Sequence, residues 1–316
     1  MRTSLRPLSF IAIVVLAATA LLGACSKGPE GAGKPRPTAF ACVPPHAYFA
    51  RRIAGGLVDI HTLVEAGANP HTFEPPARRM ARLMRADLYF RAGMPFEDAL
   101  ARKIADGGGP TIIDTRAGIN LLEASEHHRD DGGHDEHEKH EARHEHHHAG
   151  GEGKDPHVWM SPKLAGRQVA TMTDAFCAAW PDRAAAFRQN AAALAKDLAA
   201  LDAEIARSLA PLKGRTFFVF HPAFGYFAAE YGLVQQAVEV GGKNPSLKDT
   251  ASLIAKAKAR NVRVIFVEPQ FSTAAARTIA TEIGGAVEPI NPLAEDYLAN
   301  MRRIAADVRQ ALSGGE

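Results

Sequence analysis

Thr216-Phe217-Phe218-Val219-Phe220-His221-Pro222 is the stretch on which the fold turns. Its β-branched and aromatic residues make a short strand. His221 ends that strand, and Pro222 is placed to open the helix after it, because the first helical turn has no use for the N–H that proline lacks. Strand, histidine, helix is the unit. The same rhythm runs outward in both directions. Toward the N-terminus, strands are expected at Thr38–Val43, Leu57–Val64, Ala86–Phe90 and Thr111–Asp114, with helices through Ile53 and near Pro76–Met84. Toward the C-terminus, strands are expected at Val234–Val240, Val262–Val267 and Ala286–Ile290, separated by helices at Asp249–Ala259 and Ser272–Ile283. Such alternation specifies an α/β chain of two lobes, each with a mainly parallel sheet flanked by helices.

Between the two series lies Asp182–Leu212. Phe187, Leu194, Leu198, Leu201, Ile205, Leu209 and Leu212 recur there at helical spacing, filled out by alanines, so the segment reads as one long rigid helix joining the lobes. The expected organisation is therefore an N-terminal lobe over 38–181, the linking helix over 182–212 and a C-terminal lobe over 213–316. Residues 123–154 interrupt the first lobe with Gly, Asp, Glu and His and almost no apolar side chains. They cannot bury enough surface to offset their ordering entropy and are expected to be a disordered insertion.

The first residues read as an export signal over 1–24: Arg2 and Arg6, then the apolar run Leu8–Leu22, too short to span a bilayer. Leu22-Gly23-Ala24-Cys25 resembles a bacterial lipoprotein cleavage box, which makes Cys25 the expected lipidated residue on a membrane surface. Residues 25–37 follow as a tether rich in Gly, Pro and Lys. Cys42 and Cys177 are read as buried small hydrophobes, although an exported chain could pair them. The 316 residues carry a formal net charge of +2 and 46% hydrophobic residues, with no basic block that would mark a nucleic-acid partner. A monomer is expected.

Two further histidines share the setting of His221. Asn69-Pro70-His71 and Asp155-Pro156-His157 each set a histidine beside a proline in a loop, and Ser161-Pro162 looks like the cap and first residue of the next helix. Imidazole is the commonest protein ligand for zinc, and ligands at the ends of strands converge where open α/β sheets bind their ligands. His71, His157 and His221 are thus the candidate metal ligands. Tetrahedral zinc asks for a fourth group. Asn291, before Pro292, and Glu268, before Pro269, are candidates for that position or for its supporting shell, and a water is the alternative. His61 reads as structural, and His46, after Pro44-Pro45, as a candidate to line the cleft. Within the insertion, His127, His128, His134, His137, His140, His144, His146, His147 and His148 form an auxiliary loop of weaker metal sites.

At these residues the chain resembles a known family: zinc-binding substrate-binding lipoproteins of metal ABC importers, cluster A-I, which also holds manganese-binding members. The resemblance rests on Ala66-Gly67-Ala68-Asn69-Pro70-His71-Thr72-Phe73-Glu74-Pro75, Asp155-Pro156-His157-Val158-Trp159-Met160-Ser161-Pro162 and Phe220-His221-Pro222-Ala223-Phe224-Gly225-Tyr226-Phe227. Weaker matches are Phe266-Val267-Glu268-Pro269-Gln270-Phe271-Ser272 and Ile290-Asn291-Pro292-Leu293-Ala294. It implies two lobes holding Zn2+ between them by His71, His157 and His221, with a membrane permease and ATPase as partners. Histidine at the third position is what zinc-type members carry. The last motif usually reads Asp-Pro, so Asn291 is a departure.

The leading expectation is an extracytoplasmic, membrane-anchored protein that captures Zn2+ for an ABC permease and is no enzyme. The alternatives are a zinc hydrolase with a metal-bound water, for which Glu268 is the candidate general base, and a metal-storage or adhesin lipoprotein. With unperturbed imidazoles, zinc occupancy is expected to fall through the range near pH 6 to 5.

Overall fold

The computed structural model describes residues 36–124, 153–240 and 242–314. The signal segment, Cys25, the tether up to residue 35 and all nine histidines of the insertion lie outside the described residues. Among those described, the strands form two parallel sheets of four. The first contains β1 (Thr38–Ala41), β2 (Asp59–Thr62), β3 (Leu88–Arg91) and β4 (Thr111–Asp114), in the order β2-β1-β3-β4. The second contains β5 (Thr216–Val219), β6 (Val234–Ala237), β7 (Val264–Val267) and β8 (Ala286–Pro289), in the order β6-β5-β7-β8. The orders are the same. In each, the chain leaves the first strand to one side and returns on the other, so the gap beyond β1 and β3, or beyond β5 and β7, is a switch point where ligands bind. Register places Phe40 opposite His61 and Tyr89 in one sheet, and Phe218 opposite Gln236 and Ile265 in the other.

Helices fill the crossovers: α1 (Pro44–Ala54), α2 (Ala77–Leu83) and α3 (Phe96–Gly107) in the first half, then α4 (Pro162–Ala179) and α5 (Ala184–Leu209). The second half adds α6 (Gly225–Tyr231), α7 (Leu247–Ala259), α8 (Ala274–Glu282) and α9 (Tyr297–Ser313). The start of α4 follows from sequence: Pro162 fits the first turn, and Ser161 Oγ accepts from Leu164 N at 3.2 Å. Pro222 behaves otherwise. The Ala223 N–H donates back to His221 O at 2.8 Å, closing a tight turn, and α6 begins only at Gly225.

The 26-residue α5 carries the expected stripe, with Phe187, Leu194, Leu201 and Leu209 at 0% exposure. Turns of 3-10 helix at Pro181–Arg183 and Ala210–Leu212 extend it, which is why 182–212 reads as continuous helix. It packs on α1 and α4 of the first half and on α9 of the second, and one apolar cluster runs from β1 through α5 to α9. Truncating one of those leucines would cost about 2–5 kcal/mol, because so central a gap cannot collapse. A smaller cluster sits under α7 and α8, around Phe218, Leu253, Ile265 and Ile279. Cys42 and Cys177 are free, the first buried and the second half-buried. Among the described residues no helix is long and apolar enough to cross a membrane.

Candidate metal centre

His221 stands two residues beyond β5, and Glu239 two residues beyond the neighbouring β6. Because the two strands are paired in parallel, their next residues emerge side by side, and His221 Nδ1 meets Glu239 Oε1 at 2.8 Å. His157 reaches the same kind of partner locally: Asp155 Oδ1 accepts from His157 N at 2.9 Å and lies 2.7 Å from His157 Nδ1. A carboxylate at Nδ1 fixes the proton there and leaves Nε2 as a bare lone pair. His71 enters from the loop after β2, which turns where Asn69 Oδ1 accepts from His71 N at 2.9 Å.

The three rings converge. His71 Nε2 lies 3.2 Å from His157 Nε2 and 3.0 Å from His221 Nε2, with ring centroids 4.6–5.2 Å apart. The edge of a zinc tetrahedron with Zn–N of about 2.0–2.1 Å is about 3.3 Å, so these separations suit one ion. Lone pairs so close repel each other unless a proton or a cation lies between them. Burial pushes the His71 imidazole down to about 2, with the other two rings adding to the effect. Burial also lowers His221, against the opposing hydrogen bond to Glu239. Protons are thus poor occupants, and a metal cation is the natural one. His71 and His221 take protons less readily than the unperturbed imidazoles on which the loss expected near pH 6 to 5 rests.

Glu268 stands directly after β7, 1% exposed, with Oε2 accepting from His221 N at 3.2 Å; its Oε1 has no hydrogen-bond partner among the described residues. Burial raises its carboxyl well above the usual range. Glu268 therefore faces the backbone of His221, outside the group of three. The Asn291 side-chain oxygen accepts from Leu293 N at 2.9 Å, and its carbonyl accepts from Asn300 Nδ2 at 2.7 Å, so its polar atoms serve the loop. His46 is wholly buried away from the cluster, with Gln168 Nε2 at 3.1 Å from its Nε2 and the Trp159 ring edge-on to it at 5.5 Å. His61 is an exposed residue of β2 lying against Phe40.

Sequence reasoning passed over Asp155 and Glu239. An Asp two residues before a His, with Pro between, was a readable signal for the first. The second needed the pairing of β5 with β6, which no local pattern carries. The turn that bears His157 is also fastened to the second half. Trp159 Nε1 donates to Pro292 O at 2.9 Å, Tyr297 Oη to Trp159 O at 2.6 Å and Tyr226 Oη to Asp155 O at 2.9 Å.

Residues 40–311 match the family described as ZnuA, zinc-uptake complex component A, periplasmic. The zinc-binding lipoprotein AdcA of Streptococcus pneumoniae is 30% identical over 249 residues, 78% of this chain and 48% of the relative. The high-affinity zinc uptake system protein ZnuA of Bacillus subtilis is 31% identical over 251 residues, 78% of this chain and 75% of the relative. This chain thus spans about half the length of the AdcA relatives it matches. Among solved structures, a crystal structure of ZnuA aligns with a TM-score of 0.77 at 34% identity, over 87% of this chain and 99% of that one.

Proposed function

This chain belongs to the zinc-uptake complex component A family, and from that premise we propose that it is the binding component of a zinc importer. It captures Zn2+ between its halves and passes the ion to the permease and ATPase of an ABC transporter. One observation carries this reading: three imidazole Nε2 atoms from three separate loops lie 3.0 and 3.2 Å apart along two edges, all available to one ion. His71, His157 and His221 are the ligands, with a water completing the tetrahedron. Asp155 and Glu239 hold the rings in the binding tautomer. An all-imidazole set favours zinc over manganese, which prefers oxygen. The names of the relatives, zinc-binding and high-affinity zinc uptake, support the same ion.

Binding without catalysis is supported by the carboxylates: Asp155 and Glu239 are committed to Nδ1 atoms, and Glu268 lies outside the group of three, with Oε2 accepting from the His221 backbone N–H. The protein works as a monomer outside the cytoplasm, held at a membrane by lipid on Cys25, as the lipoprotein name of the pneumococcal relative supports. Lobes over 38–181 and 213–316, joined by the rigid helix 182–212, hold the ion between them, and the histidines within 123–154 gather zinc more weakly.

Metal analysis and a chelator-competition titration of the purified chain test this. One tight equivalent followed by weaker ones is expected. Several equivalents of similar strength would favour storage, and no retained zinc would end the reading.

A further inference from the structure

Tyr226 stands in α6, two residues after the turn that begins at His221, and its side chain crosses to the segment that bears His157. Its hydroxyl donates to Asp155 O at 2.9 Å and accepts from Leu122 N at 3.0 Å, and the ring is 3% exposed. Leu122 and Asp155 are themselves paired, Asp155 N donating to Leu122 O at 2.9 Å. Glu123 and Lys154 continue that pairing as an antiparallel bridge and an ion pair. One phenol thus closes the end of a two-stranded stem whose last residue is the carboxylate that holds His157. Gly225, next to Tyr226, completes the fit: a Cβ there would come within 2.6 Å of Asp155 Oδ2. Glu230, later in α6, extends the seam to Ser161 Oγ at 3.1 Å.

We infer that Tyr226 is a positioning residue for zinc binding, setting Asp155 and through it the orientation of His157. The inference rests on the three-histidine reading of the centre. Its physical content is a linkage across the seam. His221 and Tyr226 belong to one turn and helix, so the element that brings one ligand also holds the support of another. Without the hydroxyl, the Asp155 backbone is anchored only by the stem, and its carboxylate can drift from Nδ1. A ring free to rotate loses the bare Nε2 aimed at the ion.

The test is zinc affinity by chelator competition on the full chain, for wild type, Tyr226→Phe, Asp155→Asn and the double variant. Asp155→Asn should weaken zinc by about tenfold or more, in the range seen for supporting groups of metal-bound histidines. Tyr226→Phe should weaken it by about threefold to tenfold, and the double variant should match Asp155→Asn to within about twofold, because the phenol acts through that carboxylate. Independent structural damage would instead add the two losses. The cobalt d–d spectrum of Tyr226→Phe should shift toward that of Asp155→Asn, a change that lowered stability alone would not produce. Should Tyr226→Phe fail to fold, Gly225→Ala keeps the phenol, displaces Asp155 and is expected to weaken zinc to a similar degree. Additive losses, or wild-type affinity in Tyr226→Phe, would overturn the inference while leaving the metal reading intact. A wild-type chain that retains no zinc would overturn both.

Discussion

β1 and β5 hold the same place in two sheets of the same strand order, and a buried histidine follows each: His46 at 0% exposure, His221 at 8%. Burial lowers both imidazoles, His46 to about 3. Their partners differ. His221 has a carboxylate at Nδ1 and a second imidazole 3.0 Å from Nε2; His46 has an amide at Nε2 and no partner for Nδ1 among the described residues. The residues beyond β3 and β7 repeat the contrast. Glu97 is enclosed by donors, from Ala92 N, Gly93 N, Met94 N and the Tyr89 hydroxyl, whereas Glu268 has one oxygen unpaired. The first switch point is packed shut as core, and the second is left as a site. Burial does not make a histidine a ligand; what His221 has and His46 lacks is a carboxylate behind it and like rings in front.

The sharpest way to break this contrast is to remove the rings. His71→Ala, His157→Ala or His221→Ala should weaken zinc by about a hundredfold or more, beyond the losses known for supporting groups. His46→Ala should lower stability and leave affinity within about twofold. Near-wild-type titrations for two of the three would erase the distinction. Next in size is Glu239→Gln, which keeps the shape and loses the charge that fixes the His221 tautomer. A loss of about tenfold is expected in the same titration.

His46 sharpens the comparison through pH. Unfolded, it takes a proton near pH 6.5; folded, only near pH 3. Between those values unfolding takes up a proton, so stability falls as pH drops, by about 1.4 kcal/mol per unit for one such group. From pH 6.5 to 5 that is about 2 kcal/mol. His71 and His221 are displaced in the same direction, so the metal-free protein should lose more than one histidine's share. Urea unfolding of metal-free His46→Gln at pH 7 and 5 should show a shallower loss than wild type. An unchanged slope would mean that His46 does not titrate on unfolding. The smallest effect is expected of Asn291→Asp. Its side-chain oxygen already serves Leu293 N, so affinity should stay within about twofold, and a tightened titration would bring residue 291 to the ion.

Much of this was legible in the chain because its information is local. Each strand lies where β-branched and aromatic runs place it, Thr111–Asp114 to the residue, and the α5 stripe follows from helical spacing alone. Boundaries elsewhere run short, as at Thr38–Ala41 against an expected Thr38–Val43, because Cys42 and Val43 are as apolar as the strand but turn toward α1. The histidine loops could be read because proline marks the turns that carry them. Glu239 and Tyr226 could not: their work depends on which strand pairs with β5 and which segment crosses the seam, and both are decided by packing between residues far apart in sequence.

The central claim is that one ion is held by three imidazoles brought from three loops. X-ray absorption at the zinc edge, on full chain loaded with one equivalent, tests it most directly. The account predicts about three imidazole nitrogens near 2.0 Å and one oxygen donor, falling to two imidazoles in His221→Ala. A first shell built mainly of carboxylate oxygens, or one unchanged by His221→Ala, would contradict it.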